Sequence, residues 1–226
     1  HRYQRSICRK TTIKKIKAMK NIPVLRTTRQ SYMPERAPVA REGTIIIPDI
    51  SGFTRFVNET DPFTGKYVTR ALLSSIIDSN ILNLRVSEIE GDAVLFYGYG
   101  TPDDLQSVVG QYEIMLSSFN RKLAQLEAFI GDNINLSLKL IAHYGPVSEY
   151  SIGRFRKLYG KAVVQAHQLL KNSIKSKTYV LLTENLLKAI PPVLKNPDMY
   201  GVHGKSDDIG YTYYNYEPVP VQGIIV

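Results

Sequence analysis

A chain of 226 residues, 43% of them hydrophobic, has material for one medium domain with a full core and an appendage. Its net charge of +9 is unevenly placed: residues 1–43 hold twelve Lys and Arg against Glu35 and Glu42, whereas residues 44–226 hold seventeen basic and eighteen acidic side chains, so the domain lacks the positive field that draws a nucleic acid. The lone cysteine, Cys8, excludes a disulfide framework or a cysteine metal site and points to a reducing, cytoplasmic compartment, and no apolar run approaches the ~18 residues of a membrane span.

Residues 1–43 read as a disordered or loosely helical basic tail, with few large apolar residues and with Pro23, Pro34 and Pro38 breaking its second half. An Arg-rich, acid-poor tail suits a transit peptide, a membrane-surface anchor or a nucleic-acid arm; against these stands the opening on His1 rather than Met, which makes Met19 and Met33 alternative starts. The domain proper is expected over residues 44–226. A buried strand at 44–50 leads into helical stretches, the second at about 64–83 with Val68, Ala71, Leu72, Ile76 and Ile77 on one face. Two strand runs, 84–90 and 92–99, flank a turn at Gly91-Asp92. Thr101 reads as the N-cap of a long helix to about residue 126, with Pro102 in its first turn. After a turn at 131–133 come a strand at 136–143 ending at Gly145-Pro146, a shorter strand near 147–151, a helix at 161–172, a strand at 178–183, a short helix at 184–190 and a closing hairpin at 198–217. This order predicts an α+β fold, a ferredoxin-like antiparallel sheet flanked by helices, whose two central strands carry Asp49 and the Asp92 turn side by side.

Those two aspartates are the chain's strongest chemical signal. In TIIIPDISGFT (44–54), Asp49 leaves a buried strand where the chain turns into a helix, which sets free backbone N–H groups beside a carboxylate. In VSEIEGDAVLFY (86–97), Asp92 sits at a hairpin tip. Two hard oxygen ligands on adjacent strands suit Mg²⁺ or Mn²⁺ rather than Zn²⁺. Taken singly, Asp49 would serve as a helix cap and Asp92 as a turn residue. His143 reads as a core histidine, Tyr211, Tyr213, Tyr214 and Tyr216 as an apolar sheet face, and Lys171 and Lys175 as solvated charges.

DISGFT at 49–54 and EGDAVLF at 90–96 resemble the two metal motifs of the class III nucleotidyl cyclases, the adenylate and guanylate cyclases, and of a bacterial cyclase-like family of unknown function. IAHYGPV at 141–147 and LYGKAVVQAHQLL at 158–170 are similar to the family's central strand and later helix, so the resemblance spans about residues 44–217. It implies two metal ions, Mg²⁺ or Mn²⁺, held by Asp49, Asp92 and the carbonyl of Ile50. It further implies β- and γ-phosphates on the amides of Gly52, Phe53 and Thr54, purine selection by Glu88, a phosphate contact from Lys205, a GTP or ATP substrate, and a homodimer. A carboxylate at position 88 matches the N1–H and 2-amino edge of guanine better than adenine. The later helix departs from the family: Val164 and Gln168 stand where active cyclases carry Asn and Arg, and Lys161 and His167 are the nearby candidates to replace them.

Overall fold

A computed structural model of the chain describes residues 39–191 and 201–217. The proposed tail falls almost wholly outside them; the first strand, β1 (Arg41–Ser51), already begins within its expected last three residues. Then follow α1 (Phe53–Glu59), α2 (Pro62–Asp78), β2 (Arg85–Glu90), β3 (Ala93–Tyr99), α3 (Leu105–Ile130), β4 (Ser137–Ile152), β5 (Phe155–Tyr159), α4 (Lys161–Leu169), β6 (Tyr179–Thr183), α5 (Glu184–Ala189), β7 (Val202–Ser206) and β8 (Ile209–Asn215). The sheet runs β2-β3-β1-β4-β6-β8-β7, with β5 paired to the far end of β4. The β2-β3-β1-β4 half has the expected ferredoxin-like order, with β1 antiparallel to both neighbours. One pair departs from the antiparallel expectation: β4 and β6 are parallel, because the chain between them crosses over through α4.

β1 is buried on both faces because its isoleucines alternate. Ile46 and Ile50 pack under α2 and α3, while Ile45 and Ile47 pack under α4 with Leu95, Ala162 and Ala166. α2 starts at the Asp61 cap, whose carboxylate accepts from the amides of Phe63 and Thr64 at 3.0 and 3.1 Å. It stops at Asp78, short of the expected residue 83. Asn80 and Gln111 take over the backbone groups that a further turn would use, Gln111 accepting from the amides of Ile81 and Leu82 and donating to Ser79. The cap of α3 is Asp104 rather than Thr101; its carboxylate accepts from both the amide and the hydroxyl of Ser107, at 2.8 and 2.7 Å. Gly131, in the left-handed region at φ 78°, ends that helix.

The expected break at Gly145-Pro146 does not occur. β4 runs on to Ile152, pairing with β1 as far as Val147 and with β5 from Ser148. Its register with β6 ends at Ala142, so one edge is open at Pro146 and a residue without an N–H is tolerated. Sequence reading missed β5; the strand-like residues on either side of Gly153, which turns at φ 59°, were its local signal. No helix among the described residues is long and apolar enough to cross a membrane.

Candidate metal and nucleotide cleft

Two residues on from Ile47, Asp49 keeps the same parity and leaves the sheet on the α4 face. It sits between Ala93 of β3 and Lys139 of β4. Gly91 turns at φ 60° to close the β2–β3 hairpin, and the amide of Ile50 donates to the carbonyl of Asp92 at 3.2 Å, fastening the hairpin tip to the end of β1. The two aspartates are thereby brought together as expected. Burial pushes the Asp49 carboxyl up to about 6; Lys139 opposes this and the neighbouring Asp92 adds to it. Burial raises Asp92 as well.

Two neighbouring, partly desolvated carboxylates offer hard oxygen ligands of a kind that suits a divalent cation. Among the described residues no group of three or more His, Cys, Asp or Glu is placed to hold a metal. A metal here would rest on this pair, with its remaining ligands drawn from backbone or bound-ligand oxygens. Lys139 was not anticipated. Its ammonium lies 3.7 Å from Asp49 Oδ1 and donates to the carbonyl of Leu170 at 3.1 Å, tying the end of α4 to the aspartate. The available signal was a lone lysine set between Leu138 and Leu140 in the apolar first half of its strand.

A cleft of about 610 Å³ opens between this corner and α4. Asp49, Glu88, Glu90 and Asp92 line the sheet side, and Val164, His167, Gln168 and Lys171 line the helix side. Lys171 is exposed, as read from sequence, and also stands on the cleft wall: it lies three positions after Gln168 and shares its side of the helix end. Glu88 reaches the cleft but is engaged within the chain. Lys157 of β5 is ion-paired to one of its oxygens, and His167 Nε2 stands 3.8 Å from the other. The Lys157 ammonium is held above its ordinary range by that hydrogen bond and charge.

The remaining expected site residues lie apart from the cleft lining. Gly52, at φ 90°, opens α1 with no side-chain cap, and a Cβ there would sit 2.7 Å from the carbonyl oxygen of Asn135, so only glycine fits the turn. Phe53 and Thr54 begin the helix. Lys205 lies on the edge strand β7, 3.8 Å from Asp208 and four strand spacings, roughly 19 Å, from β1. A single chain does not bring it to the aspartates. His143 is a buried core residue, with Nδ1 2.9 Å from the Thr183 hydroxyl and Nε2 without a hydrogen-bond partner. Tyr211 and Tyr213 pack with Tyr179 in the core, as expected of a sheet face.

This mixed sheet and its helices form a class III cyclase-like fold. The structure matches the adenylyl cyclase CyaB from P. aeruginosa with a TM-score of 0.63 at 15% identity, over 79% of this chain and 96% of that one. It matches the guanylyl cyclase Cya2 with a TM-score of 0.62 at 15% identity, over 78% and 92%. A class III adenylyl cyclase-like ATP-binding protein from Pseudomonas aeruginosa is similar at a TM-score of 0.54 and 18% identity, over 68% of this chain and 35% of that one. In sequence, residues 69–179 match the model of a family described as a protein of unknown function (DUF2652). An uncharacterised protein of Mycobacterium tuberculosis is 28% identical over 120 residues, a match spanning 50% of this chain and 56% of that relative.

Proposed function

We propose that this domain binds a purine nucleoside triphosphate with two divalent ions, Mg²⁺ or Mn²⁺, and does so as a homodimer. The observation that carries this reading is the convergence of Asp49 and Asp92 at one desolvated corner, where burial raises both carboxyls against the opposing charge of Lys139. The two carboxylates and the Ile50 carbonyl hold the ions, and the opening amides of α1, from Gly52 to Thr54, meet the phosphates. Bound ions of this kind neutralise a triphosphate and lower the pKa of a ribose hydroxyl. The description of three structural neighbours as adenylyl cyclase, guanylyl cyclase and ATP-binding protein supports a purine nucleotide. Glu88 is the residue for the purine edge, and a ligand there competes with Lys157 and His167 for its oxygens.

Two outcomes are open to such a complex, cyclisation to a cyclic nucleotide with release of pyrophosphate, or binding as a sensor or dimerisation module. Val164 and Gln168 on the cleft wall favour the second, since neither supplies charge to an α-phosphate in the transition state. Incubation with each labelled triphosphate and Mn²⁺, followed by product separation and paired with calorimetry, tests both. The expected result is metal-dependent binding of GTP or ATP with little cyclic product. Efficient cyclisation overturns the sensing role, and absence of metal-dependent binding overturns the proposal.

A further inference from the structure

The α4 wall of the cleft carries one cation that the reading above leaves unused. Lys171 closes the last turn of the helix, its amide donating to the carbonyl of Gln168 at 3.0 Å, and the adjoining Leu170 carbonyl is held by Lys139. The backbone at this point is fixed from both sides, and Lys171, an exposed residue, is part of the cleft lining. The neighbouring charges have partners: Glu88 holds Lys157 and faces His167, and Asp49 faces Lys139. Lys171 has no carboxylate within ion-pairing distance among the described residues. The cleft therefore sets two carboxylates, one of them faced by Lys139, on one side and a lysine without an ion-pair partner among the described residues on the other. That pattern complements a ligand which is itself a pair of opposite charges, a divalent cation bound to a polyphosphate. A lysine, with three donors on a flexible stem, meets a phosphate as a point charge.

We infer that Lys171 binds the phosphate end of a divalent-cation–nucleotide complex whose cation is held by Asp49 and Asp92. This rests on the nucleotide-binding reading and adds to it the residue for the anionic end. Gln168, on the same side of the helix end, offers a hydrogen bond without charge, and Lys171 supplies the charge three residues further on.

The test is calorimetric titration of the full chain with Mn²⁺ alone, Mn²⁺–tripolyphosphate and Mn²⁺–GTP. Lys171→Met is expected to weaken both phosphate complexes by about tenfold or more while leaving Mn²⁺ alone unchanged, and Lys171→Arg to stay within about threefold of the parent. Lys175→Met, an exposed lysine that does not line the cleft, is expected to match the parent. Unchanged phosphate binding in Lys171→Met overturns the inference, as does an equal loss for Mn²⁺ alone, which would make the side chain a support of the corner. A parent that takes up neither phosphate complex overturns the nucleotide-binding reading itself, a result distinct from a parent that binds and a Lys171→Met variant that is indifferent.

Discussion

At Asp49 and Asp92 two like charges enter a corner where burial disfavours ionisation and Lys139 opposes that effect, so a bound cation would further stabilise both anions. On the proposed reading, removing either carboxylate takes charge from a site that both share. Asp49→Ala and Asp92→Ala should each weaken Mn²⁺–nucleotide binding by at least ~2 kcal/mol, measured by calorimetry; a double variant binding as tightly as the parent would place the site elsewhere. His143 illustrates the opposite case, a titratable group with no site chemistry. It is fully buried on β4, and burial lowers its pKa from 6.5 to about 4. The unfolded chain then takes up this proton at a higher pH than the folded one. The stability tied to the neutral ring is complete above pH 6.5 and is lost as pH falls toward 4, by up to about 3 kcal/mol. Urea unfolding of parent and His143→Gln between pH 7 and 4.5 should show a shallower pH dependence in the variant.

Among the elements, α3 does more than cover the sheet. Its buried Gln111 satisfies two amides and one carbonyl of the segment linking α2 to β2, which sets where the Glu88 strand begins. Gln111→Leu strands those groups in the interior and should cost about 2–4 kcal/mol in chemical denaturation, with partial recovery in Gln111→Glu below neutral pH, where a protonated carboxyl both donates and accepts. α4 carries the question of turnover. If catalysis is limited only by positions 164 and 168, Val164→Asn with Gln168→Arg should raise cyclic-nucleotide formation with Mn²⁺, changing rate more than affinity and favouring GTP over ATP. A variant that binds nucleotide yet forms no cyclic product supports the sensing role.

For the whole molecule, the β4–β5 hairpin holds an apolar surface outside the core: Ile152, Phe155 and Tyr159 are 63%, 61% and 71% exposed, and Val164 beside the cleft is 57% exposed. A second copy of the chain is the occupant proposed for it. Ile152→Glu with Phe155→Glu should shift sedimentation to the monomer while leaving the thermal midpoint nearly unchanged, because neither side chain is part of a core cluster. A dimer that survives the double substitution would move the interface to another face.

Strand and helix periodicity made much of this protein legible. Three isoleucines before Asp49 marked a strand buried on both faces, and Gly91-Asp92 between two strand runs marked the hairpin that delivers the second carboxylate. The order of the elements added the prediction that the two stand side by side, and the β1–β3 register bears that out. Caps were less secure, as Asp104 against Thr101 shows, because several residues within one turn can offer an oxygen and the packing of the following helix selects one. The charges facing the cleft's carboxylates were not legible. Lys139 meets Asp49 across 90 residues of chain and Lys157 meets Glu88 across 69, while Lys171 gains its place from the way α4 crosses the sheet. Local pattern encodes which face a side chain takes; which distant charge it then meets follows from strand order and helix placement, set by burial of the core as a whole.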